Sequence, residues 1–215
     1  MTQIPVYCFH HIIPYNEYIH IEKSKQYLFI TVEKFEKLLI LIKKNKMKTL
    51  TSNEFIDISK SNKGTKNTIF LTFDDGRDNQ YKYAYPLLKK YNINATFFII
   101  TSKIGCSGYI THKNMITMNN IIDYQIHTHD FHDRYIIKNS SNIEKYKDII
   151  ICIEILKKYN KDVKYNLFAF PFTSTGPNYI NIINSGLFDA CFTGGSKIYN
   201  SQIHSIYNIP RFAIS

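Results

Sequence analysis

Tryptophan is absent from this 215-residue chain, and its cysteines, Cys8, Cys106, Cys152 and Cys191, are few and far apart, with no Cys-x-x-Cys pair. That spacing is unlike a small secreted disulfide framework, and three of the four sit in apolar surroundings that suit buried thiols. No apolar run reaches the length of a membrane span. The N-terminal Met1-Thr2-Gln3-Ile4-Pro5 lacks the basic and apolar regions of a signal peptide, so the expected compartment is the cytoplasm. There is no block of like charge resembling a nucleic-acid arm and no nucleic-acid-binding motif. Internal repeats and a composition break are missing as well, so residues 1–215 read as one domain.

What the chain does have is a core-forming composition, 44% hydrophobic and 15% aromatic, the aromatics all Tyr and Phe. Its formal net charge is +10. One reading is attraction to an anionic partner such as nucleic acid, a glycan or a membrane surface. The other is that lysines solvate the surface. The pairs Lys43-Lys44, Lys89-Lys90 and Lys157-Lys158 fall near the ends of expected helices, where they suit the helix dipole.

Strand-like and helix-like segments alternate, which predicts an α/β fold with a parallel sheet or an irregular barrel. Expected strands are Ile4–Phe9, the run from Ile69, Asn94–Ile100, Asp123–His127, Asn166–Phe170, Ala190–Thr193 and Ile209–Ile214. Expected helices begin after a Thr31 cap and run to about Lys46, then cover Asn79–Tyr91, Asn114–Ile122, Ile143–Tyr159 and Asn178–Ser185, the last stopped by Gly186. Residues 14–29 read as a tyrosine-rich flap, Lys48–Ile58 as a short strand and turn, Ser59–Lys66 as a polar linker and Thr101–His112 as a loop.

The centre of the chain is Ile69-Phe70-Leu71-Thr72-Phe73-Asp74-Asp75-Gly76. An apolar run that ends in two carboxylates points its end at water, a metal or a substrate, and in α/β sheets sites gather at the carboxyl ends of strands. Adjacent acids both stay ionised only near a cation or several donors. Downstream lies His127-Thr128-His129-Asp130-Phe131-His132. A hard carboxylate together with several imidazoles suits a catalytic zinc or a similar ion.

At these residues the chain resembles the polysaccharide deacetylase family, also called the NodB homology domain. Thr72-Phe73-Asp74-Asp75-Gly76 matches the family's first motif letter for letter. The usual second motif, His-[Ser/Thr]-x-x-His, is replaced by His127-Thr128-x-x-x-His132, a longer form that resembles the poly-N-acetylglucosamine deacetylase branch. Weaker similarities lie at Phe9-His10-His11-Ile12, Phe168-Ala169-Phe170-Pro171-Phe172, Phe188–Thr193 and Ile209-Pro210-Arg211. The resemblance implies an irregular (β/α)7-type barrel and metal-dependent removal of an N-acetyl group from an amino sugar in a polysaccharide or its lipid- or nucleotide-linked precursor. Among residues it implies Asp74 as general base and Asp75, His127 and His132 as ligands of a divalent metal, Zn2+ foremost, with the pair His127 and His129 as the alternative.

Two family features are missing: the arginine before the Pro171 segment and the Leu-x-Ile-His that normally supplies a general acid. His10 is the candidate for the acid, and Arg211 for orienting Asp74. Phe172 and Tyr109 are candidates for stacking on sugar faces. The expected partner is an N-acetylated sugar or glycan rather than nucleic acid, with peripheral membrane association left open and oligomeric state unaddressed. A catalytically impaired, glycan-binding relative is the competing expectation.

Overall fold

The structure, a computed structural model, describes residues 3–61, 66–160, 162–173 and 179–215. Half of the linker expected over Ser59–Lys66, with its Gly64, and the first residue of the helix expected from Asn178 lie outside them.

Seven parallel strands close into a barrel: β1 (Val6–Phe9), β2 (Thr68–Asp75), β3 (Ala95–Ile99), β4 (Ile122–Ile126), β5 (Leu167–Ala169), β6 (Ala190–Gly194) and β7 (Ile209–Ala213). Each strand pairs with the next in sequence, and β7 pairs back onto β1, which closes the ring. Closure leaves no barrel strand with a free edge. The thinnest seam is β4–β5, where the ladder pairs only Ile126 with Phe168. Side chains bridge it instead. Gln125 donates to Tyr165 O and accepts from Leu167 N, and the His127 ring reaches Ala169 O.

Every residue of β2 is buried, as a barrel strand covered on both faces requires. Its side chains nonetheless divide with period two. Ile69, Leu71 and Phe73 pack outward in one cluster with α1 (Val32–Lys44), through Phe35, Leu39 and Ile42. Phe70 packs in a second cluster with Val6, Phe98, Leu167, Phe192 and Ile209, which fills the barrel. Phe55 of α2 (Ser52–Ser61) enters this cluster from the amino-terminal end, its ring stacked 4.5 Å from that of Phe70. The bottom of the barrel is thus plugged by aromatic side chains, and chemistry is left to the carboxyl end.

Local signals explain the outer elements. Thr31 caps α1 by accepting from Lys34 N. The helix α3 (Tyr85–Lys90) has Pro86 in its first turn, preceded by a π-type turn over Gln80–Ala84. Proline lacks the N–H that would continue a helix behind it, so the chain winds wide there and tightens after it. The helix α4 (His112–Met118) begins earlier than expected because Thr111 and Asn114 form a capping box. The longest helix is α6 (Asn142–Leu156), boxed by Ser141 and Glu144 and preceded by a short α5 (Arg134–Asn139) that carries no strong periodic signal.

Two stretches differ from expectation. Residues 48–61 form a two-residue strand, Lys48–Thr49, and then α2, because Phe55 and Ile56 bury into the barrel end rather than marking a turn. The flap at 14–29 contains a single helical turn, Tyr15–Tyr18, and a 3-10 segment, Lys23–Leu28. No described helix is long and apolar enough to cross a membrane, and all four cysteines are free thiols, three buried and Cys106 exposed.

Candidate active site

The register of the barrel brings the charged residues to one level. Asp74 and Asp75 of β2 lie opposite Phe98 and Ile99, and Ile99 lies opposite Ile126, so His127 emerges beside the end of β2. Phe9 pairs with Phe73, which places His10 next to Asp74 from the other side. Gly194 pairs with Arg211, whose side chain crosses the barrel interior.

Asp75 Oδ1 lies 3.5 Å from His127 Nε2 and 3.6 Å from His132 Nε2, and the two imidazole nitrogens are 3.2 Å apart. His127 Nδ1 points at Ala169 O at 2.8 Å. A carbonyl only accepts, so Nδ1 carries a proton, and Nε2 is the nitrogen turned to the cluster, a lone-pair donor whenever the ring is neutral. His132 is half-buried against Phe172, at a ring separation of 4.8 Å. His129 takes no part: its Nδ1 bonds Thr101 Oγ1 at 2.9 Å.

The trio is a basin for positive charge. Burial opposes ionisation of Asp75, but the hydrogen bond and charge of His127, with Arg77 behind them, hold its carboxyl well below the usual range. Burial alone would lower His127; the charges of Asp74 and Asp75 raise it instead. His132 is pushed down to about 4, by burial and then by the charge on His127. One carboxylate oxygen and two imidazole nitrogens, mutually close, with Asp75 and His127 already tied from behind, match the donor set of a catalytic metal site with open positions.

Asp74 is fully committed to other partners. Arg211 Nη1 and Nη2 each donate to one of its oxygens at 2.7 Å, and both residues are buried. Burial, the largest single influence, would raise this carboxyl, yet the charges of Arg211 and His127 and the Arg211 hydrogen bonds together outweigh it, and the result is about 2. His10 Nε2 stands 3.9 Å from Asp74 Oδ2, and burial lowers its pKa, which keeps the ring neutral. Cys8, His10 and Asp74 also converge. With both carboxylate oxygens taken by Arg211 and the Cys8 thiol pushed up by burial, that group is poorly suited to a cation.

Backbone strain marks the same spot. Asp75 has φ 75°, Thr128 φ 77° and Phe172 φ 56°, left-handed values that cost non-glycine residues roughly 1–3 kcal/mol each. Gly76 follows at φ 75°, and a Cβ there would stand 3.0 Å from Ile99 Cδ1, so any other residue adds backbone strain and a tight contact.

Arg77 and Phe172 show what motif reading does not resolve. Arg77 Nε and Nη2 both donate to Asp75 Oδ2, at 3.1 and 3.0 Å. Its place one residue beyond the Asp-Asp-Gly run was the available signal. Tyr109, a sugar-stacking candidate, instead lies under that guanidinium at 4.5 Å. The other candidate, Phe172, stacks with Arg134 at 4.5 Å and forms a wall beside His132.

A model of the polysaccharide deacetylase family matches residues 61–187, more than half of the chain. The chain is 29% identical over 202 residues to the poly-β-1,6-N-acetyl-D-glucosamine N-deacetylase of Staphylococcus aureus (strain MSSA476), covering 86% of this chain and 68% of the relative. It is 28% identical over 217 residues to the enzyme of the same name from Staphylococcus epidermidis, covering 94% and 74%. Among solved structures, the Streptococcus pyogenes deacetylase PplD, in complex with acetate, superposes with a TM-score of 0.86 at 22% identity over 99% of this chain and 92% of that one. IcaB from Ammonifex degensii superposes with a TM-score of 0.81 at 20% identity over 100% and 93%.

Proposed function

Because the chain belongs to the polysaccharide deacetylase family, we propose that it is a metal-dependent N-deacetylase acting on β-1,6-linked N-acetylglucosamine or on a lipid- or nucleotide-linked precursor of such a glycan. The observation that supports this most is the convergence of Asp75 Oδ1, His127 Nε2 and His132 Nε2 beside a second carboxylate, Asp74, that Arg211 keeps ionised. The glycan follows the names of the staphylococcal relatives.

Asp75, His127 and His132 would hold the ion, for which zinc suits the mixed donors. Such an ion, when bound, supplies Lewis acidity toward the amide carbonyl and brings a water's pKa to about 7. Asp74 takes the proton of the attacking water. Its bidentate bond to Arg211 fixes both oxygens and keeps the carboxylate charged until that moment. From Asp74 Oδ2 the proton has 3.9 Å to cover to His10 Nε2, a gap one water can bridge. His10, neutral at rest, then passes it to the departing nitrogen. The C–N bond breaks, leaving acetate and a free amine.

Acetate release from a panel containing β-1,6- and β-1,4-linked N-acetylglucosamine oligomers and lipid- and nucleotide-linked N-acetyl sugars tests this reading. The expected result is release from one class, reduced by about 10²–10⁴ in Asp74→Asn, with the ion still bound. Retention of glycan without any acetate would instead establish the binding-only alternative.

A further inference from the structure

The segment Thr101–Ile110 touches both halves of the proposed metal site. At one end Thr101 N and Ser102 N donate to Thr128 O and His129 O, and Ser102 Oγ donates to Asp130 Oδ1. At the other end Ile110 N donates to Gly76 O, and Tyr109 pairs with Arg77 in an isolated antiparallel bridge. Asp78 N closes the contact on Gly108 O. The loop therefore spans from the strand that carries Asp75 to the turn that carries His127.

Arg77 is where this clasp meets a ligand. Its guanidinium lies between the Tyr109 ring and Asp75, and two of its N–H groups converge on one oxygen, Oδ2. The other oxygen, Oδ1, is the one that faces the imidazoles. Asp75 sits at a left-handed backbone angle, so its side-chain direction is not secured by the strand alone.

We propose that Arg77, backed by Tyr109, is a positioning residue that reserves Asp75 Oδ2 for itself and presents Oδ1 alone for single-oxygen metal ligation. This rests on Asp75, His127 and His132 being the ligands. Removing a partner of this kind behind a metal ligand typically costs 10–100-fold in affinity. Arg77→Lys keeps the charge but cannot place two N–H groups on one oxygen while stacking on the ring.

The test is competition of chelator-stripped protein against a chromophoric chelator for Zn2+, with the visible spectrum of the Co2+-loaded protein as a second readout. Arg77→Ala is expected to raise the Zn2+ Kd 10–100-fold and to change the Co2+ band shape as the carboxylate turns. Arg77→Lys falls between it and wild type. Tyr109→Ala follows Arg77→Ala in direction, and Tyr109→Phe, which keeps the ring, restores tight binding. If Arg77→Ala does not fold, Arg77→Lys carries the same comparison. Unchanged Kd and Co2+ spectrum in the folded Arg77 variants, with binding abolished in His127→Ala, would overturn the positioning role and leave the ligand assignment intact. Zn2+ binding undiminished in His127→Ala would overturn the ligand assignment and this role with it.

Discussion

Asp74 and Asp75 are chain neighbours whose different tasks follow from what each touches. Asp75 shares its oxygens between two imidazoles and Arg77, while Asp74 gives both to Arg211. The Asp74–Arg211 pair is buried, and truncating one member of such a pair strands the other's charge at a cost of about 3–5 kcal/mol. Arg211→Met is therefore expected to lower stability by about that amount in chemical denaturation. The pair also sets a pH window. The carboxyl of Asp74 is pulled from its ordinary 3.8 to about 2. A carboxyl with a depressed folded pKa stabilises the fold fully above its unfolded value and loses that contribution as pH falls through the folded one. Wild type should thus lose about 2 kcal/mol between roughly pH 4 and pH 2 from this group. In Arg211→Met the Asp74 carboxyl rises, and the acid limb of the pH–rate profile moves to higher pH. A limb that stays in place would show that Arg211 does not set the charge of Asp74.

At the scale of elements, the turn after β4 is held from outside by α6. Asp148 accepts from His129 N at 2.8 Å and Asp130 N at 2.7 Å, in the middle of the stretch that carries His127 and His132. Burial raises the Asp148 carboxyl in spite of these bonds, so they are made against a desolvation cost. Asp148→Ala leaves two backbone N–H groups unpaired, at about 1–3 kcal/mol each. The expected outcome is a loss of about 2–6 kcal/mol in urea unfolding together with weaker ion binding; unfolding alone, with ion affinity kept, would show that the turn holds its shape without α6.

Legibility in the sequence divides along the same line. Strands buried on both faces carry unbroken apolar runs, so β2, β3 and β6 stand out. Asp74, Asp75, His127 and His132 are legible because charged residues ending such runs are rare enough to signal. The Thr31 cap is legible because a hydroxyl before a periodic run has one local task. Arg77, Asp148 and α5 are not: Asp148 meets its partners, His129 N and Asp130 N, from another segment of the chain, Arg77 is backed by the distant Tyr109 ring, and a lone Arg or Asp on a polar stretch resembles a solvated one. The helix at 52–61 was hidden because its burial is against the barrel end, a surface that exists only after the ring closes.

At the scale of the whole molecule, the barrel separates stability from chemistry along its axis. Phe55, stacked on Phe70 and near Phe192 and Tyr199, seals the amino-terminal end, and the charged residues occupy the other. Phe55→Ala should cost about 3–5 kcal/mol in unfolding free energy. Ion affinity, read at a temperature where the variant is folded, should stay at the wild-type value. A parallel loss of affinity would mean that the two ends are coupled through the strands.

The central claim is that activity passes through a cation held by Asp75, His127 and His132. Its most direct test is acetate release from β-1,6-linked N-acetylglucosamine oligomers by chelator-stripped protein, before and after one equivalent of Zn2+. The account predicts background release from the stripped protein and recovery on adding the ion back. Full-rate release by protein verified to be free of metal would contradict it.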